Sequence, residues 1–277
     1  MNPIKIGAAL NVSDLPTYRD WLIAEQRDLE MQDFHHTNVL LGDWQSLAQA
    51  AKKALDGFEG RLGIHGPFMF MPMDCTDPEL MPIITKRYLT GLDAAIMLGA
   101  TQMVVHSPFS IWDYRNFGDR PRLGNEPSHK EKIIAACHNV MMPVVRRAED
   151  AGITLVIENC DDISPLDRLD LAQSFNSDRV KVSLDTGHAH NVFGKDGSVP
   201  VDYFVTAAGE SLAHVHLQDT DGYADRHWAP GQGTIKWHSV FRALAALPVT
   251  PHLVLELRNR ADIWAGFSYL HEAGLVY

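Results

Sequence analysis

Eight short apolar runs, each parted from the next by a stretch with helical periodicity, limit what this chain can fold into more than any other feature. The runs are 4–10 (IKIGAAL), 28–34 (DLEMQDF), 61–66 (RLGIHG), 101–106 (TQMVVH), 153–159 (ITLVIEN), 180–185 (VKVSLD), 212–218 (LAHVHLQ) and 252–257 (HLVLEL). Between them lie segments such as WQSLAQAAKKALDGF, LMPIITKRYLTGLDAAIMLGA, KEKIIAACHNVMMPVVRRAEDAG and WHSVFRALAAL, whose apolar residues recur every three to four positions. Glycines at 57, 99 and 152 supply a common helix stop signal. Short strands alternating with helices predict a parallel sheet, and eight such units predict an α/β chain closed into a single (β/α)8 TIM barrel over residues 1–277. An open doubly wound sheet is the fallback. The first strand and its sequel, IKIGAALNVSD, offer one glycine only, so a dinucleotide-binding fold has little support.

Composition narrows the function classes. The chain is 45% hydrophobic and 21% charged, as ordinary globular domains are. Its formal charge of −11 disfavours non-specific attraction to nucleic acid or an anionic membrane, although a local basic groove can exist on an acidic protein. Cys75, Cys137 and Cys160 are odd in number and widely spaced, and the opening MNPIKIGAAL lacks the pattern of a secretory signal, which reads as a reduced, cytoplasmic protein. No apolar stretch approaches the roughly 20 residues that span a bilayer, so membrane insertion is not expected.

The ends of the apolar runs carry the chemistry. In barrels of this kind the active site lies at the carboxyl ends of the strands, and Glu158, Asp185, His216 and Glu256 fall at or near those ends in the fifth to eighth strands. Neighbouring strands lie about 4.8 Å apart, close enough for these side chains to converge on one cation. His65 and His106 end the third and fourth strands and would extend the ring, and His188, Asp225 and His227 follow close behind. A lone strand histidine is commonly a hydrogen-bonded core residue and a lone terminal carboxylate a helix cap. Joint placement at equivalent strand ends is harder to explain that way. Imidazole and carboxylate suit zinc, manganese, iron and cobalt, and no cysteine lies among these residues, which argues against a structural thiolate site.

The blocks VIEN (156–159), SLDTGH (183–188), HVHLQDTDGYADRHWAPGQGTIKW (214–237) and LELR (255–258) together resemble the xylose isomerase-like barrel superfamily over essentially the whole chain. That superfamily includes sugar isomerases, ketose 3-epimerases and endonuclease IV. Resemblance to the sugar enzymes implies one manganese, cobalt or magnesium ion held by Glu158, Asp185, His216 and Glu256. The two glutamates would then also move a proton through an enediolate, with His188 and Arg226 contacting substrate oxygens. Resemblance to endonuclease IV implies instead three zinc ions and cleavage of abasic DNA, because all nine of its ligands have a match in His65, His106, Glu158, Asp185, His188, His216, Asp225, His227 and Glu256. The chain departs from the nuclease pattern where DTGH stands for DTCH and PGQG for LGEG, and its first strand is not followed by H-x-S-x-x-G-G. A sugar isomerase or epimerase is the expectation, a phosphodiesterase the alternative, and a barrel that binds metal and ligand without turnover a lesser one.

Loops should set the substrate. Residues 107–128 (SPFSIWDYRNFGDRPRLGNEPS) form a connection too long for an ordinary barrel loop and read as a lid, in which Trp112, Tyr114 and Phe117 could pack on a sugar ring and Arg115, Arg120 and Arg122 suit a phosphate or carboxylate. The loop PFMFMPMDC (67–75) reads equally as an apolar pocket wall or a dimer contact, and a homodimer is reasonable. His65 and His106 are further candidates for substrate contact. His214 points to the same side as His216 and reads as a partner of that residue rather than a ligand. His35 and His36 read as surface or pocket-rim residues. Glu30 could face the barrel mouth, with nothing else to support it.

Overall fold

The computed structural model describes residues 3–118 and 126–277. Eight parallel strands close in sequence order: β1 (Gly7–Leu10), β2 (Leu29–Met31), β3 (Leu62–His65), β4 (Gln102–His106), β5 (Thr154–Glu158), β6 (Val180–Asp185), β7 (Leu212–Leu217) and β8 (His252–Leu255). The register Gly7↔Val254 and Ala8↔Leu255 joins the first strand to the last, so the sheet has no free edge. The expected (β/α)8 barrel is therefore the fold. Most strands are shorter than their apolar runs. Ile4, for instance, precedes β1 and makes an isolated bridge to Val276.

Strand periodicity explains how one sheet serves two purposes. Along β7, Val215 and Leu217 belong to the hydrophobic core, whereas His214 and His216, alternating with them, are buried in polar company. The same alternation recurs at Ile64 and His65, at Ile157 and Glu158, and at Leu184 and Asp185. Amphipathic helices such as Met81–Leu98, His129–Ala151 and Trp237–Ala245 cover the apolar side. Gly99 and Gly152 end the first two in the left-handed conformation, as the stop signals predict, but Gly57 lies beyond a helix already ended at Ala54. No helix among the described residues is long and apolar enough to cross a membrane.

Two helices occupy segments whose sequence reads as strand end or loop. Thr186–Asp196 begins at the last residue of β6, with Asp185 as its N-cap. Ile111–Phe117 occupies the first part of the 107–128 connection, capped by Ser110. Arg115 on that helix pairs with Asp196. Arg120 and Arg122 lie outside the described residues.

A buried clamp secures the end of the barrel opposite the strand ends that carry Glu158, Asp185 and Glu256. Asp28, fully buried before β2, accepts from Arg61 Nε and Nη2 at 2.7 and 2.6 Å and from the Leu253 amide at 2.8 Å. Arg61 also donates to the Thr250 and Pro251 carbonyls, so one ion pair ties together the starts of β2, β3 and β8. β1 approaches so closely here that a Cβ on Gly7 would lie 1.5 Å from the Asp28 carbonyl oxygen. Replacing Asp28 with Ala should cost about 2–3 kcal/mol, less than a fully enclosed pair because Arg61 can turn to water. Urea denaturation measures this, and a loss below about 0.5 kcal/mol would remove the clamp's importance.

Candidate metal centre

Glu158 ends β5, Asp185 ends β6, His216 is the fifth residue of β7 and Glu256 directly follows β8. The register places Asp185 beside His216. One donor atom from each of the four lies within 4.8 Å of all the others, and all four residues are buried. His216 Nδ1 is flanked by Glu158 Oε1 at 3.0 Å and Glu256 Oε2 at 3.4 Å. Asp185 Oδ1 accepts from the His188 amide at 2.7 Å and from Gln218 Nε2 at 3.0 Å. Two buried carboxylate oxygens, Glu158 Oε2 and Asp185 Oδ2, make no hydrogen bond.

Three carboxylates crowded in a buried space need positive charge, and among the described residues it is imidazoles that supply it at close range. Burial opposes ionisation of Glu158, yet His216, with His65 and His106, outweighs it and holds the carboxyl well below its ordinary value. Burial likewise opposes charge on His216, but Glu256, Glu30 and Glu158 lift its pKa well above normal. Asp185 is pushed up to about 6, chiefly by burial, with Glu158 and Glu256 adding to it against His188 and His227. Unpaired carboxylate oxygens, an imidazole among carboxylates and unmet negative charge are what a divalent cation would satisfy, and the donor set suits a hard or borderline ion.

The other five predicted ligands form two flanking groups. His65 and His106 place Nε2 3.5 Å from Glu158 Oε2. His188, Asp225 and His227 form the second group, with Asp225 3.5 Å from His188 Nε2 and 3.1 Å from His227 Nε2. Backbone carbonyls fix the rings: Nδ1 of His65, His188 and His227 donates to Gly66, Asn159 and Glu256 at 2.9, 2.9 and 3.1 Å. A carbonyl only accepts, so each ring turns Nε2 toward the cavity, free of the proton that Nδ1 carries when the ring is neutral. Burial works against the His227 imidazolium, but Asp225 and Glu256 raise its pKa to about 9. His106, chiefly desolvated, falls to about 3.

A cavity of about 280 Å3 opens over these groups, with Gln32, His35, Phe68 and Arg258 on its wall. Phe68 stacks on His106 at 4.1 Å, so the 67–75 loop does supply a pocket wall. Trp112 and Arg226 are not brought to it. Trp112 is exposed and packs edge-on against Phe117, while Arg226 is held by Asp221 at 3.0 Å and lies over Trp228. Sequence reasoning missed Gln32, Asn159 and Gln218, and named Phe68 only as part of the 67–75 loop. Glu30, named there without support, lies 3.0 Å from His216 Nε2.

Gln218 links the centre to the second flanking group. Its Nε2 donates to Asp185 and Asp225, both at 3.0 Å, and its Oε1 accepts from the His227 amide at 3.1 Å. A Cβ on Gly187 would lie 2.2 Å from that amide group.

Residues 26–272 match the family model described as xylose isomerase-like TIM barrel. An uncharacterized protein of Methanocaldococcus jannaschii, MJ1311, is 23% identical over 215 residues, covering 75% of this chain and 68% of that protein. Among solved structures, the TTHB071 protein from Thermus thermophilus, soaked with zinc chloride, superposes with a TM-score of 0.71 at 24% identity over 97% of each chain. A D-tagatose 3-epimerase-like protein superposes with a TM-score of 0.75 at 20% identity, covering 97% of this chain and 96% of that one.

Two outcomes follow from the geometry. Gly187→Ala should displace Gln218, breaking its buried hydrogen bonds at a cost of about 1–3 kcal/mol in thermal or urea unfolding; unchanged stability would mean that the amide moves aside freely. In metal-stripped protein the raised His227 pKa contributes stability fully present below pH 6.5 and lost as pH rises toward about 9, so melting temperature should fall across that window. Asp225→Asn should flatten the fall, and an equally steep fall in that variant would assign it to other groups.

Proposed function

The chain belongs to the xylose isomerase-like TIM-barrel family, and we propose that it is a divalent-metal-dependent isomerase or epimerase of a sugar or sugar derivative. The observation that carries this reading is the convergence of Glu158, Asp185, His216 and Glu256, with two buried carboxylate oxygens left without hydrogen bonds. The likeness to a D-tagatose 3-epimerase-like protein agrees with it. Manganese, cobalt or magnesium fits a single ion at this carboxylate-rich set. When bound, such an ion would polarise a substrate carbonyl and adjacent hydroxyl and acidify the carbon between them.

The chain's own residues supply the proton transfer. Glu158 and Glu256 flank one imidazole nitrogen from two strands, so their carboxylates can address the reacting carbon from different sides. One removes the proton to give an enediolate and the other returns a proton, which inverts the centre or moves the carbonyl. Asp185 would help hold the ion, and it caps the helix that carries His188. His188, its Nε2 facing Asp225 in the cavity lining, would contact a substrate oxygen, with His65 and His106 also lining the cavity. The cavity volume suits a monosaccharide-sized ligand.

A second reading rests on the two flanking groups. His65, His106 and Glu158, and His188, Asp225 and His227, each bring three donors together, so the nine residues could hold three zinc ions and hydrolyse a phosphodiester in abasic DNA. The net charge of −11 opposes that partner.

Metal content of protein purified without added metal divides the two. About one manganese, cobalt or magnesium per chain supports the sugar reading, and about three zinc ions the phosphodiesterase. With the metal assigned, Glu158→Gln assayed at saturating ion should lower turnover of a responsive ketose by roughly 100- to 10,000-fold while sugar affinity changes little. Parent enzyme in D2O should place deuterium on the epimerised carbon. Retained turnover in the variant would sink the proton-transfer assignment.

A further inference from the structure

Beneath the four-residue centre lies a second layer of buried polar side chains that the proton transfer does not use. Glu30, in the middle of β2, is 1% exposed. Its Oε1 accepts from His216 Nε2 at 3.0 Å and from Gln32 Nε2 at 2.7 Å. Its Oε2 lies 3.1 Å from His214 Nε2, and His214 Nδ1 is hydrogen-bonded to Ser183 Oγ at 2.8 Å. Gln32 Nε2 also donates to Glu256 Oε1 at 2.9 Å, so Glu30 is connected to two of the four ligands from below. Among the described residues no lysine or arginine forms an ion pair with Glu30.

A buried carboxylate without a lysine or arginine partner is costly unless its donors are held for a purpose. The purpose is visible in the two nitrogens of His216. Nδ1 faces Glu158 and Glu256, where a cation would sit, and Nε2 faces Glu30. A neutral imidazole has one proton, and only the tautomer with that proton on Nε2 offers a lone pair to an ion at Nδ1.

We propose that Glu30 is a positioning residue of the metal centre: by accepting the Nε2 proton of His216 it selects the metal-binding tautomer, fixes the plane of the ring and makes Nδ1 a stronger donor. This rests on the reading of the centre as a divalent-metal site. His214, anchored by Ser183, faces the second oxygen of Glu30 at 3.1 Å, while Gln32 sets its height relative to Glu256. The sequence logic is then a three-strand device in which β2 orients a ligand carried by β7 across the barrel interior.

The rival assignment is a separate ion held by Glu30, His214 and His216, whose donor atoms also lie within 4.8 Å of one another. Only three ligands are present there, all enclosed, and His216 Nε2 is already hydrogen-bonded to the carboxylate at 3.0 Å, while Glu30 Oε2 and His214 Nε2 make no hydrogen bond.

Calorimetric titration of Mn2+ into metal-stripped protein decides the matter for the parent chain, Glu30→Gln and His214→Gln. Glu30→Gln keeps the volume and an acceptor oxygen but removes the charge, and should weaken Mn2+ binding about 10- to 100-fold at unchanged stoichiometry. His214→Gln should weaken it less, in the same direction. Cobalt-loaded Glu30→Gln should also show an altered visible absorption band, because the ligand field at Nδ1 changes. A barrel-exterior variant, Val240→Ala, should lose stability without moving either readout. If Glu30→Gln does not fold, His214→Gln carries the test. Affinity within twofold of the parent in the folded variants, or loss of one whole equivalent of metal from two, would overturn the assignment. A parent chain that binds no Mn2+, Co2+ or Zn2+ would overturn the metal-centre reading itself.

Discussion

Four buried carboxylates inside one barrel, Glu30, Glu158, Asp185 and Glu256, are the constraint around which the rest of the site is organised. None of them forms an ion pair with lysine or arginine among the described residues; imidazoles and amides face them instead. Opposing charges of this kind compensate only partly, since a histidine can shed its proton. The structure therefore stores negative potential at one end of the barrel, where a divalent ion would gain most and where water is largely excluded. The depressed acidity range of Glu158 and the elevated range of His216 are two sides of that balance.

The barrel makes this concentration of charge tolerable by separating it from the interactions that close the sheet. At the opposite end, Asp28 and Arg61 bind β2, β3 and β8 through a fork of charge-assisted hydrogen bonds. Between the two ends, alternation along each strand sends every other side chain outward into helix packing, as Val215 and Leu217 do beside His214 and His216. Stability and chemistry thus draw on different residues of the same strands. Glu158 can hold one oxygen without a hydrogen bond while its neighbours Val156 and Ile157 supply the burial that stabilises the strand.

Much of this was legible in the sequence because strand termini carry the candidate ligands. Apolar runs stopping at Glu158, Asp185, His216 and Glu256 mark both the strand and its functional end, and the structure brings those four together as the runs imply. Glu30 was harder to read. It sits inside a three-residue strand with no flanking pattern, and its meaning depends on His216 from a strand 186 residues later in the chain. Phe68 was visible only as part of an apolar loop, and Gln218 as an amide with no recognisable spacing. Trp112 and Arg226 illustrate the converse difficulty. Their side-chain types suit a sugar, but Trp112 rides on a short exposed helix and Arg226 finds Asp221 five residues away, so local partners take them from the cavity. Chemistry-bearing side chains on strands are placed by register, whereas those on loops are placed by contacts that the sequence does not print.

Gly187 joins these strands of argument. It stands in the first turn of the helix that begins at Asp185, where a side chain would meet the amide of Gln218. The space is used: Gln218 reaches Asp185 on one side and Asp225 on the other, and steadies the His227 amide. The four-ligand centre and the His188, Asp225 and His227 group are thereby connected through one neutral side chain that shares Asp185 Oδ1 with the His188 amide. A neutral bridge suits a single deep ion with an outer ring of polar groups poised for substrate oxygens. Three cations would instead draw Asp185 and Asp225 toward metal and compete with the amide for the same carboxylates. The third residue of this chain's DTGH is thus the one that makes room for the bridge between Asp185 and Asp225.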